Sequence, residues 1–216
     1  MVNTASRPKG IKTDTWVPAT WENFVVLCER PDFEKARCYY DKGQMRIEMA
    51  PLGSLHGREN SVVSKVISLF AALNMIRVVE FLNTSLRKPG EREAQPDISF
   101  YLGQNFQLPG LNNQPVDVEV FGAPQLVVEI ASTTLSDDLG PKRLLYERLG
   151  VQEYWVVNVA MSGVVAFAME NGGSREIRDS QVLSGLALSV LEEAMQRSQT
   201  EDDGALTRWL IQRFQG

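Results

Sequence analysis

The sequence predicts an α/β fold in which a central mixed sheet is flanked by helices. Three observations lead there. Short apolar runs of strand length, over residues 98–102, 125–131, 153–158 and 163–169, alternate with segments whose apolar side chains recur at helical spacing. The chain has 216 residues and is 44% hydrophobic, enough to bury the core of one domain. Two of the apolar runs are associated with an acid, Asp97 and Glu129, which places charge on core strands.

After a polar tail, Thr20 is placed to cap a helix over residues 20–29, where Phe24, Val25 and Cys28 recur at helical spacing. Strands over 38–41 and 45–49 flank Lys42-Gly43-Gln44, a glycine-bearing hairpin turn. Along the second strand Met45, Ile47 and Met49 share one face, and Arg46 and Glu48 share the other. Residues 56–73 carry Val63, Val66, Ile67, Phe70 and Ala71 on one helical stripe, and 76–82 form a strand. The charged stretch 87–95, with Pro89-Gly90, is expected to be a loop leading into the Asp97 strand, and the proline-containing 106–124 a longer loop.

Asp138 is expected to cap the next helix, with Pro141 in its first turn and Gly150 at its end. Residues 153–158 and 163–169 form a closing strand pair, and Asn171-Gly172-Gly173 breaks the chain. Helices over 187–197 and 205–214 finish it. The stripe Leu206, Trp209, Leu210 and Phe214 is expected to pack on the domain, with a homodimer contact as the alternative.

Composition narrows the function. No run approaches the roughly 20 apolar residues of a membrane span, and residues 1–14 lack a signal-peptide core, so a cytoplasmic protein without membrane partners is expected. Two cysteines without Cys-x-x-Cys spacing, and a single histidine, make zinc chemistry a poor fit. A net charge of −5 argues against a large basic face, though a cluster of metal-binding carboxylates is itself acidic.

Within Gln125-Leu126-Val127-Val128-Glu129-Ile130-Ala131 the glutamate is the lone charge. An ionised carboxylate there must be paired with a cation or bound to a metal, or else it is protonated. Asp97, in Pro96-Asp97 before another apolar run, is the second acid, and the two together suggest a metal site. The plainer alternatives are an arginine-paired Glu129 and a backbone-bonded Asp97. Lys142 stands near a helix start, where the dipole disfavours a cation and a nearby anion is therefore implied; Asp138 and Tyr146, one turn to either side, extend it into a stripe. His56, near another helix start, is favoured as the neutral ring. Arg87, Lys88 and Arg92 before Asp97, and Arg143 after Lys142, are read as a phosphate-binding rim, unless they are simply a solvated face.

The ordered series Pro96-Asp97, Val127-Val128-Glu129-Ile130-Ala131-Ser132, Asp138-x-x-x-Lys142-x-x-x-Tyr146 and Gly150-Val151-x-Glu153-Tyr154-Trp155-Val156-Val157 resembles the Uma-two family, within the PD-(D/E)XK nuclease superfamily. That resemblance implies a restriction-endonuclease-like fold over residues 19–170, preceded by a tail over 1–18 and followed by a helical extension over 171–216. The superfamily lysine two residues after the glutamate is replaced by Ala131, and Lys142 matches the position of a lysine relocated to the following helix. The resemblance also draws Glu48 to the site, against its pairing with Arg46 on a solvated strand.

The implied activity is that of a Mg²⁺- or Mn²⁺-dependent endonuclease acting on nucleic acid, with DNA the expected partner. Asp97, Glu129 and the backbone carbonyl of Ile130 would hold the metal, Lys142 would orient the nucleophile or stabilise phosphorane charge, and Glu48 and His56 would serve a second water or metal. The alternatives are a non-catalytic binding module of the same fold and a hydrolase of a small phosphate ester.

Overall fold

A computed structural model describes residues 11–49 and 53–216, so most of the expected N-terminal tail, and Pro51 and Leu52 ahead of His56, lie outside the described residues. In chain order the elements are β1 (Val17–Pro18), α1 (Trp21–Cys28), β2 (Arg37–Asp41), β3 (Gln44–Glu48), α2 (Ser54–Leu73), β4 (Val78–Leu82), β5 (Leu86–Lys88) and β6 (Arg92–Ala94). There follow β7 (Ile98–Leu102), β8 (Val116–Asp117), α3 (Val118–Phe121), β9 (Leu126–Ala131), α4 (Leu135–Asp137), a π-helical turn (Asp138–Lys142) and α5 (Arg143–Leu149). The chain closes with β10 (Glu153–Asn158), β11 (Gly163–Glu170), β12 (Gly173–Ile177), α6 (Leu188–Ser198) and α7 (Asp203–Gln215).

The strands form two six-stranded mixed sheets where one central sheet was expected. The first runs β1-β3-β2-β6-β5-β8, with β5 and β8 its parallel pair. The second runs β12-β11-β10-β9-β7-β4, and its parallel pair, β9 with β10, is joined through α4 and α5 in a βαβ crossover. Strand alternation decides what each face meets. One face of the second sheet, with Ile98, Phe100, Leu126, Val128 and Trp155, packs against α2, α6 and α7. Its other face, with Tyr101, Val127 and Tyr154, meets Tyr39 and Leu86 of the first sheet and Leu145 and Tyr146 of α5. The outer face of the first sheet buries Cys38, Tyr40, Met45 and Ile47 against Phe24 of α1. Asp97 and Glu129 share the parity of Tyr101 and Val127, so they enter the layer between the sheets.

Several expectations are corrected, and residues 106–124, expected as one loop, contain β8 and α3. Residues 87–95 are a hairpin rather than a loop: Pro89-Gly90 forms its turn, with Gly90 at φ +74° and the Glu91 N–H donating to the Lys88 carbonyl at 3.0 Å. The break at 171–173 is likewise a hairpin turn, leading into β12. The helical segment after β9 begins at Leu135, so Asp138 lies inside it and does not cap it. Pro141, which lacks an N–H, coincides with the widened π turn that results. Of the C-terminal stripe, Leu206 and Leu210 are in the core and Trp209 and Phe214 pack against it. No described helix is long and apolar enough to cross a membrane.

Glu153 ties the C-terminal segment to the second sheet. Fully buried, it accepts bonds from the Trp155 indole at 2.7 Å, the Ser180 hydroxyl at 3.2 Å and the backbone N–H groups of Gln181 and Val182, both at 3.0 Å. Glu153→Ala leaves those donors without their acceptor in a largely buried site, and we expect a loss of about 3 kcal/mol. A urea midpoint within error of the parent's would contradict it.

Candidate active site

β7 and β9 are antiparallel, with Ile98 opposite Val128 and Ser99 opposite Val127, and one step further this register sets Asp97 opposite Glu129. Directly opposed side chains on one face have Cβ atoms about 5 Å apart. Two carboxylates are thus forced together in the layer between the sheets, each with 1% of its surface exposed. Such a pair persists only if other groups compensate it.

Asp97 is compensated on both oxygens. Its Oδ1 accepts from Arg37 Nη2 and from His56 Nε2 at 2.8 Å, and its Oδ2 accepts from the backbone N–H of Ile130 at 2.7 Å. His56 comes from the first turn of α2, and Arg37 from the start of β2. Burial pushes the Asp97 carboxyl up, but the His56 bond and the Arg37 charge outweigh it and hold the group at about 2.

Glu129 is compensated differently. Its Oε1 accepts from the Tyr146 hydroxyl at 2.6 Å and faces Tyr39 Oη at 3.5 Å, with Lys142 Nζ at 4.0 Å. These contacts all fall on Oε1. Burial, aided by the Asp97 and Asp138 charges, pushes the Glu129 carboxyl well above the usual range, although Lys142 and Arg37 pull it down.

Lys142 is the hub. Its ammonium, 1% exposed, lies 3.0 Å from Glu48 Oε1, 2.9 Å from Asp138 Oδ1 and 4.3 Å from the centre of the Tyr39 ring. Burial opposes its charge, but the surrounding Tyr39, Glu129, Asp138 and Glu48 hold it well above the ordinary lysine value. Glu48 also accepts from Arg46 Nε at 2.7 Å, and Arg46 continues to Asp137 at 3.0 Å. Asp138 accepts from the Thr134 hydroxyl at 2.6 Å, and its backbone carbonyl accepts from the Tyr154 hydroxyl at 3.0 Å. Asp138, Lys142 and Tyr146 do form one stripe towards the acids.

The structure therefore brings together Asp97, Glu129, Lys142, Glu48, His56 and the Ile130 backbone. The rim is another matter. Arg87 pairs with Glu93, Lys88 lies 3.3 Å from Glu91, and Arg92 is buried against Asp41 at 2.9 Å. Arg143 donates to Ser174 and stacks over Phe167. None of them contacts either acid. Arg92 lies at the Asp41 end of β2, four residues or about 13 Å along the strand from Arg37. Sequence reasoning missed Arg37 and Tyr39. The signal was available, because Arg37 pairs with Glu48 and Tyr39 with Arg46 across the hairpin, on the face already assigned to those partners.

Among the described residues no three His, Cys, Asp or Glu side chains are grouped to hold a metal ion. The donors that do converge are hard oxygens: two carboxylates and, because a strand residue's N–H and C=O point to the same edge, the Ile130 carbonyl beside Asp97. Mg²⁺ is commonly held by one or two carboxylates with water completing its shell, so this set fits it.

A family model, Uma2, described as "Putative restriction endonuclease", matches residues 21–202. The chain belongs to the Uma2 family. A solved structure, described as a "putative nuclease belonging to DUF820" from Anabaena variabilis ATCC 29413, is similar with a TM-score of 0.54 and 21% identity. The match covers 82% of this chain and 99% of that one, and it shows that the two share a fold, here restriction-endonuclease-like. No curated protein matches the chain. Within the Uma2 frame, Lys142 on the crossover segment sits beside Glu129, while Ala131 occupies the strand position two residues on.

The two acids are expected to respond oppositely to neutralisation. Asp97→Asn breaks a buried ion pair and should cost about 3 kcal/mol at neutral pH. The Asp97 carboxyl lies below its ordinary 3.8, so its contribution is present in full above that pH and is lost as the pH falls towards about 2; the gap to the parent should close there. Glu129 is raised, so ionising it costs stability as the pH climbs, and Glu129→Gln should equal or exceed the parent in thermal stability at neutral pH. Thermal melts of both variants across pH test this, and a strongly destabilised Glu129→Gln would refute it.

Proposed function

We propose that this protein is a divalent-metal-dependent endonuclease that hydrolyses phosphodiester bonds in nucleic acid, with DNA the expected substrate. The observation that carries the reading is the opposed pair Asp97 and Glu129, buried in one inter-sheet layer with the Lys142 amine 4.0 Å from Glu129. Membership of the Uma2 family supports the same reaction class.

Asp97, Glu129 and the Ile130 carbonyl would hold Mg²⁺ or Mn²⁺, which supplies an activated water and neutralises charge on the phosphate. The remaining work belongs to the chain. His56, Arg37 and the Ile130 N–H fix the orientation of the Asp97 carboxylate. Tyr146 fixes that of Glu129. Lys142, held charged, places positive potential where the pentacoordinate phosphorus accumulates negative charge, and orients the attacking water by donating to it; it does not accept a proton. Glu48 acts through Lys142 and His56 acts through Asp97, which makes both of them positioning residues and replaces the expectation that they serve a second water or metal directly.

Cleavage of plasmid and of single-stranded DNA is expected to require Mg²⁺ or Mn²⁺. It should stop in EDTA and fall by at least about a hundredfold in Lys142→Met, the scale on which a single transition-state donor acts. Calorimetric titration with Mn²⁺ accompanies the assay, with loss of binding expected in Glu129→Ala. Full activity in EDTA, or in Glu129→Ala, would overturn the proposal. Intact metal binding without cleavage of any DNA or RNA would favour the small-ester hydrolase, and absence of both the non-catalytic module.

A further inference from the structure

Arg37 does more than neutralise Asp97. A guanidinium has five N–H donors, and the two bonds Arg37 makes, to Asn83 Oδ1 at 2.9 Å and to Asp97 Oδ1, both leave from Nη2. Nε and Nη1, with three donors between them, make no bond to any described residue. The group also lies at the margin of the cluster: its side chain is 15% exposed, against 1% for Asp97, 2% for Glu129 and 1% for Lys142. Burial opposes its charge, but Asp97 and Glu129 keep it firmly protonated.

The other cations near the acids lie deeper, among carboxylates. Lys142 is enclosed by Glu48, Asp138 and Glu129, and Arg46 lies between Glu48 and Asp137. The basic residues expected to form a rim are paired or stacked elsewhere. An acidic protein that takes a polyanion needs at least one cation with open donors next to its acids.

We infer that Arg37 is the substrate clamp of this site, its outward Nε and Nη1 donors engaging the non-bridging oxygens of the phosphodiester while Nη2 holds Asp97. A guanidinium presents a planar fork that matches two phosphate oxygens, which an ammonium cannot reproduce. By bridging Asp97 and the phosphate, Arg37 also screens the repulsion between two anions that must approach one another. Asn83 completes the device, since its carbonyl oxygen fixes the plane of the guanidinium. The assignment deepens the nuclease reading and rests on it.

The test is binding of short fluorescein-labelled DNA, duplex and single-stranded, followed by anisotropy with Ca²⁺ replacing Mg²⁺ across a KCl series. For Arg37→Gln the slope of log K against log salt should become shallower by about 0.9 on duplex or about 0.7 on single strand, the signature of one lost phosphate contact. Arg37→Lys should keep the parent slope and bind about tenfold more weakly, because charge persists while the fork is lost. With Mg²⁺, KM should rise in both variants. A purely structural Arg37 would lower the melting temperature without moving the slope, and an unchanged slope in folded Arg37→Gln overturns the clamp. If Arg37→Gln does not fold, Arg37→Lys decides, and parental affinity there overturns it. Parent protein that cleaves DNA while the slope stays unchanged sinks the clamp alone; parent protein that neither binds nor cleaves sinks the nuclease reading and the clamp together.

Discussion

The burial of four carboxylates, Glu48, Asp97, Glu129 and Asp138, in one layer between two sheets is the constraint on which the rest of the site depends. Each needs a cation or a donor, and no single element supplies enough of them. Arg37 comes from β2, Arg46 from β3, His56 from α2, and Lys142 from the crossover between β9 and β10. The Lys142 to Glu48 contact spans 94 positions of chain. Compensation therefore works as long-range cross-linking, pinning the first sheet and the crossover onto the second. For stability alone an apolar filling of similar volume would serve as well or better. The incomplete compensation at Glu129 is what the proposed metal site would require.

The lysine arrives from the crossover by a route that local backbone chemistry makes intelligible. On β9, Val127, Glu129 and Ala131 share a face, so a lysine two residues after the glutamate would also point into the layer. Alanine there leaves room. The chain instead runs on through α4 into the π turn, where Pro141 has no N–H to give, and the widened turn brings Asp138 and Lys142 together at 2.9 Å. The Asp138 carbonyl is satisfied by the Tyr154 hydroxyl from β10. An irregular helix at this point trades regular backbone bonding for a charged hub.

Much of the fold was legible because apolar periodicity is a strong local signal: β9, β10, α2 and both C-terminal helices fall within two or three residues of where their patterns place them. Not legible were β5, β6, β12 and, within the expected loop 106–124, β8 and α3. Arg92-Glu93-Ala94 reads as a polar loop, and becomes a buried strand only because Arg92 meets Asp41 and Glu93 meets Arg87 across strands. The same blindness to partners produced the expected rim, since a sequence displays charges without displaying what neutralises them. Asp97, Glu129 and Lys142 stood out by their placement against local preference and by family resemblance. Arg37 did not, because the β2 pattern was started one residue too late.

Charge arithmetic then separates two ways in which such a protein can meet a polyanion. With a net charge of −5, long-range attraction is weak, and contacts beyond about 10 Å are screened at ordinary salt. The basic residues of the β5–β6 hairpin add little, because each is matched by a neighbouring carboxylate. On the proposed nuclease reading, recognition is short-ranged, made at the inter-sheet layer by a metal on the paired acids and by Arg37, a guanidinium at its margin with donors to spare. In that arrangement the groups that hold the substrate are the groups that orient the reaction. Affinity and chemistry share residues instead of being divided between a binding face and a catalytic pocket.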